Sequence, residues 1–87
     1  MDASVNGTEI AITPSQLRAA RAFVDWSQDQ LASASGVPKR TVVRFERGEG
    51  SPQQRTITAI RAALEAAGVE FTNGVAPGVS LKGGNGK

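Results

Sequence analysis

Within 87 residues the signature of a helix start recurs three times. Thr13-Pro14-Ser15-Gln16, Ser27-Gln28-Asp29-Gln30 and Ser51-Pro52-Gln53-Gln54 each place a hydroxyl three residues before a Gln. At that spacing the two side chains cap each other's backbone amides. Ile12 with Leu17, and Trp26 with Leu31, occupy the positions at which apolar residues staple a helix entry. Gly36, Gly48 and Gly68 supply the stops, because the residue after a helix takes left-handed angles that cost Gly little. Caps and stops divide the chain into helices at about 14–25, from 28 to Gly36, at 38–47, and from the Ser51 box to Ala67. Helices this short are marginal alone in water, so they must pack on one another.

Beyond Gly68 the period changes. Val69-Glu70-Phe71-Thr72 and Val79-Ser80-Leu81-Lys82 alternate apolar and polar, with Asn73-Gly74 and Pro77-Gly78 between them, which predicts a hairpin over 69–82. Residues 1–12 read as a mobile arm and 83–87 as a Gly-rich tail, leaving 13–68 as the helical domain. The expected fold is mainly α: a four-helix bundle with a short C-terminal β-hairpin or strand pair.

Composition narrows the chemistry. The chain has no Cys, His or Tyr, so it offers no disulfide, no thiolate metal site and no imidazole base. No catalytic residues, cofactor or metal site are expected. Asp25 and Asp29 flank a helix boundary and read as ordinary capping and first-turn charges. The segment Gly74 to Gly78 lacks the Lys-Ser/Thr ending of a phosphate loop. Apolar runs fall far short of the roughly 20 residues that span a bilayer, and MDASVNGTE lacks the pattern of a signal peptide. The expected location is cytoplasmic, without membrane contact.

The net charge of +2 is unevenly spread. Residues 39–55 hold Lys39, Arg40, Arg44, Arg47 and Arg55 against Glu46 and Glu49, a sum of +3, and the rest of the chain sums to −1. Stepping about 100° per residue puts Val42, Phe45 and Glu46 on one side of the 38–47 helix, and Lys39, Arg40, Val43, Arg44 and Arg47 on the other. On the first helix Leu17, Ala20 and Val24 form the packed arc, with Arg21 at its edge. Two opposite charges thus face inward. A lone buried charge costs several kcal/mol, about what a hydrogen-bonded partner offsets, so Arg21 and Glu46 are expected to meet. Arg18, beside Asp25 on the wheel, reads as half of an exposed pair.

The run Gln28-x-x-Leu31-Ala32-x-x-x-Gly36-Val37-x-x-x-x-Val42-x-x-Phe45-Glu46-x-Gly48 resembles the helix-turn-helix of the Cro/cI repressor family, also called the XRE family. Arg21 and Trp26-Ser27-Gln28 agree with that pattern as well, and the likeness extends over about 55 residues, Thr13 to Gly68. The stretch after it looks like a branch of small bacterial regulators that end in a strand pair. In the family the second motif helix enters the major groove. By resemblance, Lys39, Arg40, Val43 and Arg44 are the base-contacting candidates, with Val43 suited to a thymine methyl. Gln28, Thr41, Arg47, Ser51 and Arg55 are the phosphate-contacting candidates, the last two beside the amides that open the final helix. The family's structural ion pair falls on Arg21 and Glu46. Family members often carry Ser or Thr where this chain has Pro38, so a capping hydroxyl is missing.

The resemblance implies a sequence-specific, double-stranded DNA-binding transcriptional regulator, a nucleoid-associated repressor that works as a homodimer. The residues after Gly68 are the candidate dimer contact, because a free hairpin exposes edges that a second copy can pair. The alternative is a protein-interaction module of the antitoxin or anti-activator type, a fold of the same shape that binds another regulator through Val43, Phe23 and the hairpin. Trp26 reads as core from its staple position. Phe23 and Phe71 read either as core or as part of a subunit contact.

Overall fold

The structure is a computed structural model that describes residues 12–72 and 78–81. Four helices precede a two-stranded sheet: α1 (Pro14–Val24), α2 (Gln28–Ser35), α3 (Lys39–Glu46), α4 (Gln54–Ala66), β1 (Val69–Thr72) and β2 (Gly78–Leu81). The strands are antiparallel, with Val69 opposite Leu81 and Phe71 opposite Val79. The mainly α architecture expected from the sequence is what forms. The predicted turn residues between the strands, the arm up to Ala11 and the tail from Lys82 lie outside the described residues.

Two of the three capping boxes form. The Gln16 amide nitrogen of the backbone donates to Thr13 Oγ1 at 3.0 Å, and the Thr13 amide donates back to Gln16 Oε1 at 2.8 Å. Ser27 and Gln30 repeat the device at the start of α2. Gly36 ends α2 at φ 76°, where a Cβ would be strained, and turns the chain into α3. Asp25 ends α1 in the same left-handed region, at φ 57°.

The third box does not form. Ser51 lies exposed outside the helix, Gln53 is the N-cap of α4, and no side chain caps it. The ladder opens instead at the Gln53 carbonyl, which accepts from the amides of Thr56 and Ile57. Gln53 itself is extended, at φ −69° and ψ 153°, and Pro52 before it lines a small cleft with Phe45. From Gln54 onward the helical period brings Ile60 and Leu64 into the core.

Leu17 and Ala20 of α1, Leu31 of α2, Val42 and Phe45 of α3, and Ile60 and Leu64 of α4 form one buried cluster with Val37. Val69 and Phe71 of β1 join it, so Phe71 is core, while Glu70 and Thr72 face water. Burying such side chains is worth about 1.5–3 kcal/mol each, so the strand pair is part of the domain's stability. Ile12 is also buried, so one core residue belongs to the segment read as arm. Trp26 packs half-buried against the same cluster.

Gln16 ties the hairpin to α1. Besides its cap, its buried side-chain amide donates to the carbonyls of Thr72 at 3.1 Å and Gly78 at 3.0 Å, the two residues that face each other at one end of the sheet. On the other flank, Arg61 of α4 stands 5.6 Å from the centre of the Phe71 ring and pairs with Glu65. Replacing Gln16→Leu strands two strand carbonyls and one helix-start amide. We expect a loss of about 2 kcal/mol in urea unfolding and faster amide exchange in β1 and β2 than in α2.

Candidate nucleic-acid interface

Helix α3 has eight residues and begins at Pro38 with no side-chain cap. Its place is set from the turn before it and from its buried side. The Val37 amide donates to Ser35 Oγ, and Val42, Phe45 and Glu46 are buried against the other helices. The outward side is a row of cations: Lys39, Arg40, Arg44 and Arg47 are exposed, with Val43 half-buried among them.

Glu46 is only 4% exposed, and its carboxylate is held from two other helices. Arg21 of α1 donates through Nε to Glu46 Oε2 and through Nη2 to Oε1 at 3.0 Å, a two-pronged pair. Gln28, at the first position of α2, donates its Nε2 to Oε1 at 2.9 Å. The remaining Arg21 nitrogen, Nη1, donates to the Trp26 carbonyl at 2.8 Å, just before α2. One carboxylate therefore joins α1, α2 and α3.

Arg18 is not the partner of Asp25. Its Nη1 donates to the Glu46 main-chain carbonyl and its Nη2 to Ser15 Oγ. The last carbonyls of a helix lack internal partners and carry the negative end of its dipole, so a guanidinium from α1 is drawn there rather than to a neighbouring solvated acid.

The row of cations is bracketed by acids. Lys39 Nζ lies 3.3 Å from Asp29 Oδ1 of α2, and Arg47 Nη1 lies 3.9 Å from Glu49 Oε2 in the following loop. Arg40 and Arg44, one helical turn apart, have no carboxylate within 4.0 Å among the described residues. Thr41, Gln53, Arg55 and Thr56 share a cleft of about 350 Å³ between the turn after α2 and the start of α4. Ser51 shares a smaller one, about 110 Å³, with Arg44 and Glu49. Of the residues singled out as phosphate contacts, Thr41 and Arg55 are thus brought together, while Gln28 is joined to the ion pair.

The match to known families fits this arrangement. Residues 17–70, more than half of the chain, match a family model described as helix-turn-helix. The chain belongs to the Cro/cI, or XRE, family. No curated protein matches it. Members of this XRE family are DNA-binding regulators, and the chain is a DNA-binding regulator in that general sense. The match runs from Leu17 through all four helices into β1, and α2, Gly36 and α3 make up its helix-turn-helix. Among the described residues no helix is long and apolar enough to cross a membrane, and no group of three or more acids could hold a metal.

Sequence reasoning placed Arg21 and Glu46 at the borders of packed arcs, and the structure pairs them. It missed Arg18 at the end of α3, the Gln28 bond to Glu46, and the grip of Gln16 on the hairpin. A wheel cannot show these, since each joins a side chain to an atom of a distant segment. Truncating Glu46→Ala leaves Arg21 largely buried without its anion. We expect a loss of about 2–4 kcal/mol, reduced from the fully buried case because Arg21 keeps a fifth of its surface. The double replacement Arg21→Met/Glu46→Leu should recover part of it, which chemical denaturation of the two variants will measure.

Proposed function

We propose that the protein is a sequence-specific repressor that sets α3 in the major groove of duplex DNA. The observation that carries this reading is the exposure of Arg40 and Arg44 on the outer side of α3, one turn apart and free of carboxylate partners. An Arg fork can donate both bonds to O6 and N7 of a guanine, worth about 1–3 kcal/mol of discrimination. Lys39 and Val43 complete the base-facing set. Thr41 and Arg55 in their shared cleft, Ser51, Arg47 and the α2 start at Gln28 are the proposed phosphate contacts. Gln28 precedes α3 in the chain, Thr41 belongs to it, and Arg47, Ser51 and Arg55 follow it.

The protein is further read as a homodimer through its strand pair. Leu81 on β2 is 42% exposed and Phe23 on α1 is 44% exposed, and β2 carries an edge with no strand beside it among the described residues. Two copies related by a two-fold axis would read symmetric half-sites and so multiply the contacts of one small domain. Occupancy of a promoter by such a dimer excludes other proteins, which is why we read the regulator as a repressor.

Selection of bound sites from a random duplex pool should return a guanine-containing, symmetric sequence. On that site, Arg40→Ala and Arg44→Ala should each weaken binding by about tenfold to a hundredfold and relax preference at one position. Retained selectivity in the double variant overturns the assignment of α3. Leu81→Lys should lower the sedimenting mass to that of a monomer while leaving the helical circular dichroism unchanged.

A further inference from the structure

Two acids bracket the α3 cations in exposed pairs. Asp29 and Lys39 are 72% and 54% exposed in their side chains, and Arg47 and Glu49 are more than half exposed as well. Exposed pairs of this kind contribute between nothing and about 1 kcal/mol to folding. Their placement follows a pattern. Asp29 reaches the first residue of α3 from α2, and Glu49 reaches the residue after its last turn from the loop beyond. The terminal cations are both countered, and the middle two, Arg40 and Arg44, are not.

From this we infer that Asp29 and Glu49 compete with DNA for Lys39 and Arg47 and so weaken binding to duplex of any sequence. The inference rests on the reading of α3 as the groove helix. Binding to arbitrary duplex is driven by cations that neutralise phosphates and release counterions, and this affinity carries no sequence information. A carboxylate beside each terminal cation competes with phosphate for it. The acids thus lower affinity for every sequence, while Arg40 and Arg44 have no carboxylate within 4.0 Å among the described residues.

Fluorescence anisotropy of a labelled short duplex of arbitrary sequence, over a series of salt concentrations, tests this, with a duplex bearing the selected site in parallel. Asp29→Asn and Glu49→Gln should each tighten binding to the arbitrary duplex by about twofold to fivefold near 0.1 M salt. Each should also steepen the plot of log K against log salt by about 0.9, the value of one further neutralised phosphate. The selected site should tighten as well, since Lys39 and Arg47 are read as contacts there too. In a Lys39→Gln background the gain from Asp29→Asn should vanish, and likewise that from Glu49→Gln in an Arg47→Gln background. Unchanged slopes, or gains that persist without the paired cation, overturn the inference and mark the acids as bulk charge. A wild-type chain that binds no duplex overturns the groove reading and this inference with it, whereas selective wild-type binding with unaltered variant slopes sinks this inference alone. Thermal melts confirm that the variants fold. Should loss of the first-turn charge of α2 unfold the chain, Glu49→Gln, which lies outside every helix, decides the matter.

Discussion

The structure turns on a single buried carboxylate. Helix α3 is short, starts without a capping side chain and turns most of its cations to water, so little of its own sequence tells it where to lie. Glu46 answers that problem by accepting hydrogen bonds from Arg21 and Gln28 while its carbonyl accepts from Arg18. Apolar contacts at Val42 and Phe45 hold α3 down but tolerate rotation and sliding, because dispersion has no direction. A two-pronged guanidinium pair does not tolerate either. Buried ion pairs are poor stabilisers compared with apolar residues of the same volume. What this one supplies is a directional tie between α3 and the two helices before it.

A second set of interactions makes the strand pair belong to the bundle. Two isolated strands of four residues would not persist in water. Val69 and Phe71 place their side chains in the helical core, Gln16 closes the carbonyls at one end, and the Arg61 guanidinium lies over the Phe71 ring. The sheet is thereby attached to α1 and α4, while α2 and α3 carry the helix-turn-helix. Surface left over by that arrangement, at Phe23 and Leu81, lies on the elements that hold the sheet rather than on α3.

Charge on the outer side of α3 is arranged as deliberately as charge beneath it. The one acid within the helix points inward to Arg21, which leaves the outer side wholly cationic. The acids that moderate it come from other segments, Asp29 from α2 and Glu49 from the loop. A helix read in isolation therefore looks more positive than the surface it forms in the folded protein.

By itself the sequence determined what depends on near neighbours. Two capping boxes, the stop at Gly36, the alternation at Val69 to Thr72 and the inward sides of α1 and α3 follow from bonds and periods that span only a few residues, and they appear where the local pattern puts them. The start of α4 was misread for the same reason: Ser51 offered a sound local cap, but the helix opens later, at the Gln53 carbonyl, with Pro52 beside Phe45. Only the tertiary structure could decide which atoms Gln16, Arg18 and Gln28 would bind and which cations would meet an acid. The distant atoms that Gln16, Arg18 and Gln28 bind, and the Asp29 that Lys39 meets, lie between 10 and 62 residues away along the chain, and no local rule measures the distance between atoms that folding alone brings together.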